Sequence, residues 1–157
     1  MARKPTPGQS FSALDSHLGY WLRFVSNHVS HAFSLKLAAR GVTVAEWVML
    51  RELYESDETS PSLVAERIGM TRGAISKLAD RLVDKSLIKR TENTDDRRYQ
   101  SLSLTPAARK LVPELAALAD ENDAEFFEIL SSAERKTIET AMRKIVNRRG
   151  LRAVPVD

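Results

Sequence analysis

The side chains best suited to contacting a nucleic acid lie in one short stretch, residues 71–77. Hydroxyl, guanidinium and ammonium groups donate hydrogen bonds to phosphate oxygens and base edges, and a glycine lets another backbone come close. This stretch therefore predicts a surface that contacts the major groove of duplex DNA or its phosphates. The residues expected to make the contacts are Thr71, Arg72, Gly73, Ser76 and Lys77.

Arg97 and Arg98 form a second basic group, directly after a turn-forming sequence at residues 93–96. Strand-like runs flank the turn at residues 87–91 and 99–104. A β-hairpin is therefore predicted, with one or both guanidinium groups entering an adjacent minor groove or binding phosphate. Asp96 is expected to support this wing by orienting Arg98 through a charge-assisted hydrogen bond. The alternative is a solvated hairpin tip.

Two helices joined by a tight turn are predicted to hold the stretch 71–77 in place. Ser60 and Pro61 are typical of a helix start, and Gly69 can supply the positive φ of a helix end. Thr71 is then expected to cap a second helix, in which apolar residues recur along one face. These residues are Ile75, Leu78, Ala79, Leu82 and Val83. The pattern is that of a helix-turn-helix.

The helix-turn-helix and the hairpin together predict a winged helix, and here the chain resembles the multiple antibiotic resistance regulator (MarR) family of bacterial transcription factors. The resemblance is carried by residues 63–90 (LVAERIGMTRGAISKLADRLVDKSLIKR), the Asp-Arg-Arg at 96–98 and the Leu-Ser-Leu-Thr at 102–105. Helices predicted before and after the wing extend it over nearly the whole chain.

Two features depart from the family pattern. Ser86 stands where relatives often have glycine between the second helix and the strand, so a looser cap is expected there. Asp80 and Asp84 are acidic residues on the outward side of the second helix. We therefore expect only the N-terminal half of that helix to approach DNA.

Amphipathic helices flank the winged helix. One is predicted from Phe11 to about Leu37, with an apolar stripe too broad for one neighbour to cover. After the wing, Thr105 should cap a long helix that ends near Leu130 and is kinked by Pro113. Capping boxes are predicted for Thr43 with Glu46 and for Ser131 with Glu134. These flanking helices need one another and a second copy, which predicts a homodimer.

The predicted fold class is therefore mainly α, a winged helix-turn-helix with N- and C-terminal helices that form a dimerisation region. The expected organisation is a disordered arm at 1–10, dimerisation helices at 11–38 and 106–149, a winged helix-turn-helix DNA-binding domain at 43–105 and a tail at 150–157.

The length of the chain suits one domain, and the position of its charges, rather than the small net charge, indicates DNA binding. The chain has 157 residues and a net charge of +3. Between residues 66 and 98 there are nine Lys or Arg and six Asp or Glu, so all of the net positive charge lies on the proposed DNA-facing unit. Cysteine is absent, which excludes disulfides and thiol-based redox sensing in this chain. The sequence has no apolar run long enough to span a membrane. We therefore expect no contact with a membrane and a cytoplasmic location.

The resemblance also implies a pocket for a small aromatic effector between the dimerisation helices and the winged helix. Candidate pocket residues are His17, Trp21, Trp47 and Arg51. Ordinary packing is the alternative for each. His28 and His31 share a helix face, but neither a cysteine nor an obvious acidic partner completes a metal site. No metal or cofactor is therefore expected.

The predicted function is that of a sequence-specific transcriptional regulator, a homodimeric repressor that binds a pseudo-palindromic operator in double-stranded DNA and is released by a small ligand. The alternative is a winged-helix protein-interaction module with weak DNA binding, which the acidic residues near the surface would favour. These residues are Asp80, Asp84, Asp95 and Asp96. An enzyme is not expected, because all three histidines fall within 17–31 and no glycine-rich phosphate loop is present.

Overall fold

Helices make up most of the computed structural model, which describes residues 11–92 and 100–152. The elements in chain order are a short 3-10 helix (Leu14–Ser16), α1 (Leu18–Ala38), α2 (Val44–Tyr54), α3 (Pro61–Ile68), α4 (Arg72–Asp84), β1 (Ile88–Glu92), β2 (Gln100–Leu104), α5 (Pro106–Phe127) and α6 (Ser132–Arg149). This is the mainly α winged-helix architecture that the sequence predicts. The predicted arm at 1–10 and residues 153–157 of the tail lie outside the described residues.

Helix starts follow the predicted caps. The Thr71 hydroxyl accepts a hydrogen bond from the backbone N–H of Ala74 at 3.2 Å, and Ser60 caps α3 in the same way. Gly69 ends α3 with a φ of +76°, the left-handed conformation predicted for it. Both predicted capping boxes are present, formed by Thr43 with Glu46 and by Ser131 with Glu134.

A buried seam along α4 joins the helix-turn-helix to the rest of the core. The seam packs in one cluster with residues of α2, α3, the hairpin and α5. Its members are Ile75, Leu78, Ala79 and Leu82. Burying one large aliphatic side chain contributes about 1.5–3 kcal/mol. Val83, predicted for the same seam, is 38% exposed because its position lies further round the helix.

The hairpin is anchored at its base. Strands β1 and β2 pair antiparallel with Ile88 opposite Leu104. The loop before α3 pairs with β2: the Leu102 N–H donates to the Thr59 carbonyl at 2.8 Å, and the Leu102 carbonyl accepts from the Thr59 N–H at 3.0 Å. The wing therefore leaves the body from a rigid base next to α3.

The first helix starts later than predicted. His17 is extended, with φ −90° and ψ 127°, and it separates the 3-10 helix from α1. The indole N–H of Trp21 donates to the Asp15 carbonyl at 2.8 Å. A side-chain bond of this kind satisfies a backbone carbonyl without a helical turn. The prediction of one continuous helix from Phe11 is therefore wrong, and α1 begins at Leu18.

The helix after the wing is continuous. It passes through Pro113 and ends at Phe127 rather than near Leu130. The kink predicted at Pro113 stays a prediction.

Among the helices of residues 11–92 and 100–152, none combines the length and the apolar character needed to cross a membrane.

Candidate nucleic-acid interface

The N-terminal half of α4 presents one exposed polar surface, which we call the α4 surface. The residues of the α4 surface are Thr71, Arg72, Gly73, Ser76 and Lys77. Ile75, which lies between them in sequence, and Leu78, which follows them, are buried on the opposite side of the helix. The buried seam therefore holds all five predicted contact residues on the outside of the molecule.

The start of α4 suits a negatively charged ligand. Thr71 uses one oxygen lone pair to cap the helix, and its hydroxyl hydrogen can still donate. Helix N-termini favour anions because the first N–H groups lack intrahelical acceptors and the helix dipole is positive there. Arg72 and Lys77 add two full positive charges beside this end. The α4 surface can therefore bind a phosphate group.

Gly73 lies in the first turn of α4 with ordinary helical backbone. A Cβ added there would meet nothing within 4 Å in the described part of the chain. Glycine within a helix costs about 0.5–1 kcal/mol relative to alanine. Packing inside the protein therefore gives no reason for this glycine, whereas close approach by an external backbone does.

Arg90 of β1 binds α4, a contact that the sequence did not predict. Its guanidinium lies 2.7 Å from the Asp80 carboxylate and donates to the Ser76 carbonyl at 3.0 Å. The strand period could have indicated this contact. Residues two apart on a strand share a face, so Arg90 lies on the same face as Ile88, which is buried in the core. The charge of Asp80, which favoured a protein-interaction module, is therefore compensated from the wing strand.

The tip of the wing lies outside the described residues. This part includes Asp96, Arg97 and Arg98, so their predicted roles stay predictions. The strands that lead to the tip end at Glu92 and resume at Gln100. The described part of the hairpin packs beside α4.

Two of the four candidate pocket residues come together. Trp47 and Arg51 of α2 line an open cavity of about 380 Å³. Its other lining residues are Val48, Glu52 and Glu55. Arg51 forms an ion pair with Glu55, and Trp47 packs edge-on against Phe33 with ring centroids 6.2 Å apart.

The other two candidate pocket residues lie elsewhere. His17 and Trp21 are exposed at the start of α1 and do not line the cavity of Trp47 and Arg51. The Nδ1 atom of His17 lies 3.1 Å from the Ala13 carbonyl, so this ring closes the turn before α1. Sequence spacing alone did not separate these two residues from the α2 pair.

The remaining histidines do not assemble a metal site. The Nδ1 atom of His28 lies 2.8 Å from the Phe24 carbonyl, within the same helix. Over residues 11–92 and 100–152, no group of three His, Cys, Asp or Glu side chains is arranged to hold a metal ion.

The winged helix has known relatives. The HTH-type transcriptional repressor MdtR of Bacillus subtilis (strain 168) is 39% identical over 99 residues, which are 63% of this chain and 54% of MdtR. The chain thus spans about half the length of this curated relative. Residues 40–98, which hold α2, α3, α4 and β1, match the model of the MarR family. The chain is therefore similar to MarR-family proteins over its winged helix.

Solved structures share the fold of this chain. The S. aureus MepR–DNA complex superposes with a TM-score of 0.75 at 23% identity, covering 84% of this chain and 98% of MepR. Bordetella bronchiseptica BpsR, described with the regulation of its DNA binding by 6-hydroxynicotinic acid, gives 0.74 at 24% identity, covering 87% of this chain and 97% of BpsR. At such identities the likeness shows a common fold, including the helices on both sides of the winged helix.

Proposed function

We propose that this chain is a transcriptional regulator of the MarR family that binds double-stranded DNA in a sequence-specific manner. The observation that carries the proposal is the α4 surface, an exposed polar helix face held out by a buried seam. The α4 surface enters the major groove, where Arg72 and Lys77 contact base edges or phosphates and Gly73 lets the helix come close. The name of MdtR and the DNA complex of MepR support this assignment.

The wing adds a second contact. Arg98, with Arg97 beside it, enters the neighbouring minor groove or binds phosphate, and Asp96 orients Arg98. This part of the proposal rests on the resemblance of residues 96–98 to the family motif. Phosphate contacts set the affinity and its dependence on salt, whereas base contacts set the choice of sequence.

The DNA-bound form is a homodimer that acts as a repressor on a pseudo-palindromic operator. Apolar side chains are exposed at both ends of the chain, around α1 and along α6, and a second copy would cover them. They include Phe11, Leu14, Leu18, Trp21, Phe24, Ile138, Met142 and Ile145. A twofold axis through this region places two α4 surfaces on one side of the dimer, where they reach half-sites about one helical turn apart.

A small aromatic ligand releases the dimer from DNA, and the cavity beside Trp47 and Arg51 is the proposed site. The indole supplies an apolar face, and the guanidinium can bind a carboxylate in place of Glu55. A ligand lowers DNA affinity only if it binds more tightly to a form of the dimer in which the two α4 surfaces have the wrong separation. The coupling free energy between ligand binding and DNA binding is then about 1–3 kcal/mol. Benzoate is a suitable first probe, and Arg51→Met should abolish its effect on DNA binding.

The decisive experiment measures DNA affinity as a function of salt. A duplex is first selected by the protein from a random-sequence pool. Arg72→Ala and Lys77→Ala should each weaken binding to that duplex, and a lost phosphate contact should reduce the salt slope by about 0.9. Lys144→Ala, which removes an exposed cation from α6, is the matched control. If Arg72→Ala and Lys77→Ala bind like the control, the α4 surface is not the DNA-binding surface.

A further inference from the structure

Lys85, the residue that follows α4, is bound by oxygen atoms of a segment about 40 positions earlier in the chain, residues 41–46. Its ammonium Nζ lies 2.7 Å from the Gly41 carbonyl oxygen and 2.9 and 2.8 Å from Oε1 and Oε2 of Glu46. An ammonium group has three N–H donors and no acceptor. All three donors therefore have an oxygen partner, and we call this group of Lys85, Glu46 and Gly41 the Lys85 junction.

Glu46 differs from the usual partner in a surface ion pair. Its side chain is 1% exposed, and its Oε2 also accepts a hydrogen bond from the Thr43 backbone N–H at 2.8 Å. The carboxylate is thus fixed to the first turn of α2 by the capping box. Removing the lysine would leave a buried carboxylate without its cation, which costs far more than breaking an exposed pair.

The Lys85 junction joins three elements at one point. Gly41 lies in the turn that follows α1, with a φ of +71°, and Glu46 lies in the first turn of α2. Lys85 itself is the C-cap of α4. The end of the α1 helix is therefore tied by hydrogen bonds to the end of the helix that carries the α4 surface.

Ser86, the next residue, is hydrogen-bonded to the start of α5. Ser86 has a φ of +58°, and its carbonyl accepts a hydrogen bond from the hydroxyl of Thr105 at 2.8 Å. Thr105 is the N-cap of α5. Residues 85 and 86 therefore connect the end of α4 to both α1 and α5, whose far ends lie in the region proposed for the dimer.

From this connection we infer that Lys85 and Glu46 are positioning residues for operator binding. They fix the angle of α4 relative to α1 and α5, and so fix the separation of the two α4 surfaces in the dimer. The inference rests on the proposed function. A dimer that binds both half-sites of a palindrome needs that separation to match the distance between the half-sites. Neither side chain touches DNA in this role, because the Lys85 donors are already used within the protein.

The test uses Lys85→Met, Glu46→Gln and the double variant on the duplex selected by the parent protein. Three DNAs are compared: the full pseudo-palindrome, one half-site, and palindromes with the half-sites one base pair closer or further apart. Each single variant should bind the full palindrome roughly tenfold more weakly. Both should keep half-site affinity within about twofold. The double variant should be no worse than the weaker single variant, since the two residues act as one unit.

Changed spacing preference is the result that a purely structural role would not give. The parent should discriminate against the altered spacings, and both variants should discriminate less. Equal losses on the half-site and on the palindrome would overturn the inference, as would wild-type binding by both variants. A salt slope reduced by about one in Lys85→Met alone would also overturn it, because it would mean a direct phosphate contact. Failure of the parent to select any duplex would instead refute the proposed function.

Discussion

Gly73 is the residue at which stability and DNA binding should separate most clearly. A methyl group at this position meets open space in the described part of the chain, so Gly73→Ala should fold and should raise the free energy of unfolding by about 0.5–1 kcal/mol. The same methyl group projects from the α4 surface toward the proposed DNA, so affinity for the selected duplex should fall roughly tenfold, or ~1.4 kcal/mol. Thermal unfolding and fluorescence anisotropy measure the two effects.

The opposite signs of these two effects make the prediction strict. Ala74→Gly is the matched control, because it makes the reverse exchange at the next position, which is half-buried. It should lower stability without removing a donor from the α4 surface. A Gly73→Ala protein that is more stable and binds DNA as the parent does would show that DNA does not approach this turn.

Glu46 predicts how stability depends on pH. Burial on its own raises the pKa of this carboxyl, but hydrogen bonds from Lys85 and Thr43 and the charges of Lys85 and Arg81 outweigh it, so the pKa is lowered from the ordinary value of 4.5. A lowered folded pKa stabilises the protein above the unfolded value, and this contribution is lost as the pH falls through the folded value. The parent should therefore lose part of its stability on acidification.

Replacing the carboxyl isolates this effect. In Glu46→Gln, the stabilising contribution from this site is absent at every pH, so its difference from the parent in unfolding free energy should be largest at neutral pH and should shrink below pH 4.5. Glu66→Gln, which changes an exposed acid of α3, is the control. Urea unfolding at a series of pH values gives the comparison. A constant difference between the parent and Glu46→Gln would contradict the lowered pKa.

At the scale of elements, the sequence predicted those features that depend on neighbours along the chain. Caps such as Thr71 and Gly69 and the apolar period of α4 are local signals, and the structure confirms them. Contacts between distant residues have no such signature. Lys85 and Glu46 are 39 positions apart, and only the fold brings them together.

The start of α1 and the contact of Arg90 were missed for related reasons. The apolar period continues from Phe11 into α1, so it gave no sign that side-chain hydrogen bonds to backbone carbonyls stop the helix before Leu18. Arg90 was counted only as a charge, because the facing of β1 toward α4 depends on how strand and helix pack. The wing tip, with Arg97 and Arg98, remains a prediction from motif and turn sequence.

The ion pair between Arg90 of β1 and Asp80 of α4 gives a prediction about DNA binding. Arg90→Ala leaves the Asp80 carboxylate uncompensated beside the α4 surface, where its charge repels phosphate. DNA affinity should fall, and adding Asp80→Asn should recover part of the loss. Lys89→Ala removes an equal charge from an adjacent exposed position, and its loss should not be recovered by Asp80→Asn. Equal recovery in both backgrounds would mean that Arg90 acts only as one more positive charge.

At the scale of the whole molecule, α6 has an apolar face that the described part of a single chain does not bury. In the described structure none of its 18 residues is buried, although its apolar side chains lie on one face. Those side chains are Ile138, Met142, Ile145 and Val146. Helices in water depend mainly on packing of such a face, and each large apolar side chain that becomes buried contributes about 1.5–3 kcal/mol. A second copy that covers α6 would supply this stabilisation.

Met142→Asp should therefore dissociate the dimer. The substitution places an unpaired carboxylate in the proposed interface, and the twofold axis makes it occur twice. Thr140→Asp adds the same charge on the opposite face of α6 and should leave the dimer intact. Sedimentation velocity at micromolar concentration separates monomer from dimer. The monomeric variant should also lose most of its preference for the full palindrome over the half-site, because one α4 surface then binds alone. If both aspartates have the same effect, α6 is not the dimer interface and the spacing of the two α4 surfaces must be set elsewhere. If the parent itself sediments as a monomer, the proposed homodimer is wrong.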